Sequence, residues 1–353
     1  MMIRSFFRPP VLVAALFLSV MVAACGSQPA ERASAPSGAG KLARLRVGYQ
    51  AIPNAELVAK QLKWQEQTLG IPIEWRQFES GRDVNTAIAA GSIDIGLSGS
   101  GGAATALAQG LPLSVIAIHD VIGRSEALVA RGAASIRGVS DLRGKRLAAP
   151  FASTTHYSLL KLLELNKIGA SEVTLLDMNP SDMTAAWIRG DIDAAYIWQP
   201  TLQRLLDAGG TRLTSSDEMA ARGVATFDVA VASDALMAAH PEVIVSYLKT
   251  LSRAVQLYRS DRQQALDALA RELGVSADQA KLQAEGLLWL TAEEQLDAKY
   301  FGATDASGLA GALKMTADFL VAQKVIRSAP ELATFQQRTD GQFLRRAAAA
   351  AKD

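Results

Sequence analysis

A chain of 353 residues, 49% of them hydrophobic, is long enough for two domain-sized cores. Its net charge of +1 provides no strong field for nucleic acid or an anionic lipid surface, so neither is expected as a partner. A single cysteine rules out an internal disulfide, and the three histidines (His119, His156, His240) are scattered, so no metal site and no cofactor is expected.

Residues 1–24 read as a signal peptide. Arg4 and Arg8 form its basic start, and the apolar stretch 11–24 is too short to span a bilayer comfortably. Cys25 follows Val22-Ala23-Ala24 directly, as in a lipobox, where the cysteine is lipidated and becomes the new N-terminus; the alternative is cleavage after a small residue with Cys25 incidental. A lone thiol is a liability outside the cell, which favours lipidation. Residues 25–43 are rich in Ser, Ala, Gly and Pro and read as a flexible tether. The expected location is the periplasm or outer face of the cell envelope, with membrane attachment through the lipid on Cys25.

The folded part begins with a strand at 45–50. A helix capped by Asn54 runs to residue 67, with Gly70 just beyond it. Strand 71–78 leads to Ser80-Gly81 and a helix carrying Val84, Ala87 and Ile88. Strand 93–97 leads to Ser98-Gly99-Ser100-Gly101-Gly102 and an Ala-rich helix ending at Gly110. Strand 113–118 follows. Strands alternating with helices predict an α/β fold with a mostly parallel sheet. In such sheets small ligands bind beyond the C-terminal ends of the strands, where Gln50, Ser80, Gly99 and Ser100 fall.

The pattern then repeats with strands at 127–130, 146–149, 173–177 and 193–198 and an edge strand at 211–213. Between the second and third of these lies Pro150-Phe151-Ala152-Ser153-Thr154-Thr155-His156-Tyr157, a turn into a helix that carries Leu159, Leu160, Leu162 and Leu163. Ser153 or Thr154 reads first as an ordinary N-cap. Three adjacent hydroxyls (Ser153, Thr154, Thr155) on the free N–H groups of a helix start also make a socket for a small anion. Strand 227–232 is expected to return the chain to the first lobe. Helices follow at 241–259, 262–272, 277–289 and 309–323. The expected organisation is two lobes, 44–127 with 227–345 and 128–226, forming a clam that flexes near 127–131 and 224–227.

Gly99-Ser100-Gly101-Gly102 is not a phosphate loop, since no Lys-Ser/Thr follows, and it also misses the G-x-G-x-x-G and nucleophile-elbow patterns. Ser153 with His156 has no identifiable base–orienter pair, so no catalytic residue is expected and the chain reads as a non-enzyme. Two acids stand out in apolar runs, Glu126 and Asp228. Each has an ordinary alternative: a salt bridge from Glu126 to Arg124, and a turn acid at a strand start for Asp228. A carboxylate in such a run is costly unless partnered. With anion sockets on both walls, the pair points to a ligand with an anionic head and a cationic amine.

These residues resemble a known family. Val47-Gly48-Tyr49-Gln50, Gly99-Ser100, Ser125-Glu126-Ala127-Leu128, the run from Ser153 to Leu160, Trp187-Ile188-Arg189-Gly190-Asp191-Ile192-Asp193, Tyr196-Ile197-Trp198-Gln199-Pro200 and Asp228-Val229 are similar to those of periplasmic solute-binding proteins of ABC importers. The group is that of taurine, sulfonate and nitrate, and the similarity is greatest to its taurine binders. The resemblance implies a type II periplasmic-binding-protein clamshell, a monomer, that captures a small zwitterionic or anionic sulfonate for ABC permease and ATPase subunits. It implies a sulfonate on Ser153, Thr154 and the Gly99-Ser100 turn, an ammonium held by Glu126 and Asp228, and Trp198 and Gln50 lining the cleft. Taurine is the implied ligand; plain alkanesulfonates, nitrate or a thiamine-precursor pyrimidine are the alternatives on this fold. Two positions depart from the pattern. Gly101-Gly102 replaces Ser-Pro, which would loosen the anion loop, and Ala230 replaces Trp, which would enlarge the pocket.

Overall fold

The computed structural model describes residues 41–302 and 308–349. The expected signal peptide, Cys25 and most of the expected tether lie outside the described residues.

β1 (Leu45–Tyr49) opens a six-stranded sheet. Asn54 caps α1 (Ala55–Gln61), its side-chain oxygen accepting from the Leu57 N–H at 2.9 Å. The single helix expected over 54–67 is split: Lys63 adopts a left-handed conformation (φ 56°) before α2 (Trp64–Leu69). That turn brings Trp64 under Arg253, whose guanidinium carbon lies 3.7 Å from the ring centroid. β2 (Ile73–Gln77), α3 (Gly81–Ala89), β3 (Ile95–Gly99) and α4 (Ser100–Ala108) follow the predicted order. β4 (Leu113–Ile122) runs four residues past the predicted end and carries His119 and Asp120 into the sheet. It extends because a returning strand pairs with it as far as Val121.

The second sheet takes β5 (Glu126–Arg131), β6 (Arg146–Ala149), β7 (Thr174–Asp177), β8 (Ala194–Trp198) and β9 (Gly210–Ser215). Its spatial order is β7-β6-β8-β5-β9, with β9 at an edge as predicted. β6 runs parallel to β7 and β8, and β5 runs antiparallel to β8 and β9. The helices of this part are α5 (Thr154–Leu165), α6 (Pro180–Arg189), α7 (Thr201–Asp207) and α8 (Ser216–Ala220).

β10 (Phe227–Ser233) returns the chain to the first sheet, antiparallel between β3 and β4. α9 (Asp234–Ala239), α10 (Pro241–Ser260), α11 (Arg262–Leu273) and α12 (Ala277–Ala284) come next. The helix expected to reach residue 289 stops at Ala284, and β11 (Leu287–Leu288) pairs with the end of β4 instead. Gly286 makes that turn possible: a Cβ there would stand 2.4 Å from the Ser125 backbone nitrogen. α13 (Leu309–Ala322), α14 (Leu332–Gln337) and α15 (Gln342–Ala349) complete the described chain.

Both sheets are mixed and covered by helices, the architecture of a two-lobed α/β clamshell. Leu45, Val47, Ile95, Leu97, Val229 and Val231 are fully buried, as in strands with helices on both faces. The first crossing between sheets is the short segment 123–125. The flex point expected at 127–131 lies inside β5, which is paired on both edges, so bending has to occur before Glu126.

Candidate functional site

Where the two sheets face each other, the C-terminal ends of β1, β3 and β8 and the starts of the antiparallel strands β5 and β10 enclose a small chamber. Gln50, Gly99 and Asp228 line it from the first sheet, and Glu126, Thr154 and Trp198 from the second; the Ser153 turn closes it. Its volume is about 20 Å³, close to the least space that holds one water. A mouth of about 180 Å³ lies outside, sharing Gln50 and Trp198 with the chamber and reaching Arg204. Larger open grooves exist elsewhere, one of about 660 Å³ beside α9 and α15. The chamber is the better candidate because buried acids and helix starts converge on it.

Two helices point their N-terminal ends at the chamber, α4 from one lobe and α5 from the other. Their first-turn N–H groups lack intrahelical partners and carry the positive end of the helix dipole. The helices meet at backbone distance. A Cβ on Gly101 would stand 2.4 Å from the Ser153 carbonyl oxygen, and one on Gly99 would stand 2.8 Å from the Thr154 methyl group. The expectation that Gly101-Gly102 loosens the loop is therefore replaced by a steric one: only glycine lets the two starts touch. Ala152, just before α5, is held at φ 57°, a strained conformation for a residue with a side chain.

Ser153 is the N-cap of α5. Its hydroxyl accepts from the His156 N–H at 3.1 Å, donates to the Pro150 carbonyl at 2.5 Å and shares a hydrogen bond with Thr155 at 2.9 Å. The His156 ring does not reach this hydroxyl. It stacks on Phe151 with centroids 4.2 Å apart, and its Nδ1 accepts from the Ala152 N–H at 3.4 Å. Burial pushes the His156 imidazole down to about 4, so it is neutral. The geometry of a nucleophile and its base is not present in this pair.

Glu126 is 3% exposed. Its carboxyl accepts from the Thr154 hydroxyl at 2.5 Å and from the Ser216 hydroxyl at 3.2 Å. These hydroxyls, rather than the exposed Arg124, are its partners. Burial, followed by the proximity of Asp228, pushes Glu126 up to about 8, against the pull of the two hydrogen bonds. Asp228 stands on β10 between Gly99 on one side and Asp120 on the other. Burial raises it to about 7, while the neighbouring Asp120 carboxyl works in the opposite direction. Among the described residues lining the chamber there is no Lys, Arg or His.

Seven of the ten residues predicted to bind a ligand line the chamber: Gln50, Gly99, Glu126, Ser153, Thr154, Trp198 and Asp228. Ser80, Ser100 and Thr155 stand behind it. Ser80 caps α3 and donates to Asp83 at 2.8 Å. The Ser100 hydroxyl accepts from the Phe227 N–H at 3.2 Å and ties α4 to β10. Thr155 is fully buried against Ser153. Their hydroxyls are occupied because helix starts and strand ends consume donors and acceptors locally. The Gln50 amide donates to the Leu97 carbonyl at 3.2 Å, which fixes the side chain toward the chamber floor. Two further participants leave no signal in the sequence pattern. Ser216 lies at a helix start that alternation does not reveal, and Asp120 lies past the predicted end of β4.

Comparison with known proteins matches this architecture. A family model described as NMT1/THI5 like covers residues 55–265. The taurine-binding periplasmic protein of Escherichia coli (strain K12) is 35% identical over 255 residues, 70% of this chain and 79% of its own length. The solved alkanesulfonate-binding protein SsuA of Xanthomonas axonopodis pv. citri, bound to MOPS, superposes with a TM-score of 0.70 at 25% identity, covering 85% of this chain and 99% of that one. The periplasmic aliphatic sulphonate binding protein SsuA of Escherichia coli shares the fold, with a TM-score of 0.67 at 23% identity, covering 83% of this chain and 91% of that one. With more than half of its length matched by the family model, the chain belongs to the NMT1/THI5-like family.

Proposed function

We propose that the protein is the solute-binding component of an ABC importer and captures taurine, 2-aminoethanesulfonate, between its lobes, across the chamber and the roomier mouth that shares Gln50 and Trp198 with it. The observation that carries this reading is the pair of buried acids, Glu126 and Asp228, facing a chamber without a lining cation while two helix starts point into it. An ammonium group satisfies the acids, and a sulfonate, which stays ionised at neutral pH, satisfies the helix N–H groups. The 35% identical relative, a taurine-binding periplasmic protein, supports the same ligand. Each charged hydrogen bond contributes about 1.5–3 kcal/mol, and a few suffice for micromolar affinity, which requires about 8 kcal/mol.

In this reading one lobe takes residues 44–125 with 227–345 and the other takes 126–226. The lobes open at 123–125 and near 221–226, and a permease with its ATPase recognises the closed form. The protein acts as a monomer in the periplasm, held to a membrane by a lipid on Cys25.

Calorimetric titration of residues 41–353 with taurine and, in parallel, ethanesulfonate tests the ligand. The two share the sulfonate and differ at the amine. Taurine is expected to bind at least about tenfold more tightly, and Glu126→Gln is expected to remove most of that preference. Equal affinity for both would overturn the assignment of Glu126 and Asp228 to the amine.

A further inference from the structure

Asp120 is fully buried and, unlike Asp228, does not line the chamber. It sits opposite Asp228 on the neighbouring antiparallel strand, where facing residues place their side chains on one side of the sheet. The pairing shifts between Asp228 and Val229: Asp228 faces Asp120, but Val229 faces Ile118, which leaves His119 as an extra residue. A bulge of this kind re-aims the side chains next to it. Gln295 stabilises it by accepting from the Ile118 N–H at 2.7 Å.

Among the described residues, no hydroxyl, amide or cationic group donates to either oxygen of Asp120. Its polar neighbour is the Asp228 carboxyl, and two carboxylates form a hydrogen bond only when one of them carries a proton. The titratable groups facing Asp120 are Asp228 on β10 and, at longer range, Glu126 on β5, both acidic. His119 is buried and neutral, pushed down to about 3, so it offers no compensating charge. Burial and the two neighbouring acids raise Asp120 well above the ordinary carboxyl range. Burial raises Asp228 as well, to about 7, and there the Asp120 carboxyl works in the opposite direction. Of the two, only Asp228 lines the chamber, so Asp120 is the one that can carry a shared proton without giving up a ligand contact.

We propose that Asp120 is a positioning residue: as a neutral carboxylic acid it donates a hydrogen bond to Asp228, keeping that carboxylate ionised and fixed toward the amine of the ligand. The inference rests on the taurine reading. It adds a proton linkage to that reading, because an arriving ammonium ionises the remaining protonated fraction of Asp228 and Glu126 and releases it to solvent. Affinity for an aminosulfonate therefore rises between pH 6 and pH 8.

The test compares Asp120→Asn with Asp120→Ala. An Asn amide donates to Asp228 as the neutral acid does; Ala does not. Taurine titrations at pH 6, 7 and 8 should show Asp120→Asn within about threefold of the parent at each pH. Asp120→Ala should lose about tenfold or more at pH 7, with its affinity-versus-pH curve displaced upward by a pH unit or more. If Asn falls as far as Ala, Asp120 acts through its charge and the proposal is overturned. The ligand-free protein provides an independent arm through carbon-13 NMR titration of its Asp carboxyls. The Asp120 signal is expected to remain that of a protonated acid from pH 6 to pH 8, and the Asp228 midpoint to rise in Asp120→Ala but not in Asp120→Asn. An Asp120 carboxyl already ionised at pH 6 would overturn the proposal whether or not taurine binds. Failure of taurine to bind a protein that behaves as expected in the NMR titration would overturn the choice of ligand alone.

Discussion

Gly101 and Ser153 belong to different lobes, yet a methyl group on Gly101 would stand 2.4 Å from the Ser153 carbonyl oxygen. The contact joins two backbones, so no rotamer change relieves it. The starts of α4 and α5 touch, and the absent side chain at Gly101 is what lets them come this close.

Gly101→Ala is accordingly expected to act on closure more than on folding. Gly101 lies in the first turn of α4, and Ala is the better helix former by up to about 1 kcal/mol. Opening the lobes removes the clash. Thermal unfolding of the ligand-free variant should match or exceed the parent, while taurine affinity falls by at least about tenfold and small-angle scattering shows an expanded particle with ligand present. A variant that binds as tightly as the parent would mean that the lobes close without this contact.

The two hydroxyls at the start of α5 should separate into different roles. Ser153 is the helix cap, with its hydroxyl engaged by His156 and Pro150. Ser153→Ala is expected to lower stability by about 1 kcal/mol, as cap removals do. Thr154 holds Glu126, and Thr154→Val keeps the shape while removing that donor. It is expected to leave the unfolding midpoint nearly unchanged and to weaken taurine. Urea titration and calorimetry on both variants check this, and the reverse pattern would place Ser153 rather than Thr154 in contact with the ligand.

The alternation of strands and helices was legible because the inner strands of both sheets, β3, β4, β5, β8 and β10, are buried on both faces, which leaves near-continuous apolar runs between capped helices. Asn54, Ser80 and Ser153 marked three helix starts correctly, since each side chain accepts from a first-turn N–H. Glu126 and Asp228 were visible as acids inside apolar runs. What remained hidden was non-local. Asp120 follows a histidine after Ile118 and looks like the end of a strand; only pairing with β10 draws it into the sheet. Ser80 and Ser100 looked like ligand groups because local pattern cannot show that Asp83 and the Phe227 N–H already occupy their hydroxyls. Gly101 looked like a departure from a motif until the opposing backbone of Ser153 explained it.

Buried acids also make a prediction for the ligand-free protein. Glu126 and Glu56 are pushed up to about 8 and Asp228 to about 7, in each case with burial as the largest cause, and Asp120 is raised in the same direction. In the unfolded chain these groups release their protons near pH 4. The folded state therefore binds more protons from about pH 4.5 to pH 8, and its stability falls as pH rises through that range. His119 and His156, pushed down to about 3 and about 4, work in the opposite sense, with stability present above about pH 6.5 and lost as pH falls below it. Between pH 6.5 and pH 8 the acids alone act. The unfolding temperature of the ligand-free protein should drop across that interval, and Glu56→Gln, remote from the chamber, should flatten the slope. A flat or rising profile in the parent would show that these acids are already ionised in the folded state.

A last prediction concerns the rim of the cleft. Arg82 on α3 donates to Asp177 at the end of β7 at 2.7 Å, and the Ser181 hydroxyl donates to Glu79 at 2.7 Å. Each pair bridges the two lobes. Arg82 and Asp177 are both 39% exposed in their side chains, and exposed ion pairs contribute about 0–1 kcal/mol. Arg82→Ala should therefore weaken taurine by no more than about fivefold, mainly through a faster off-rate, since the bridge joins elements on either side of the cleft and does not touch the chamber. Salt screens an exposed pair, so parent and variant should converge in about 0.5 M sodium chloride. Stopped-flow dissociation at low and high salt measures both effects. A loss beyond tenfold that persists in high salt would show that Arg82 contacts the ligand's path instead of latching the rim.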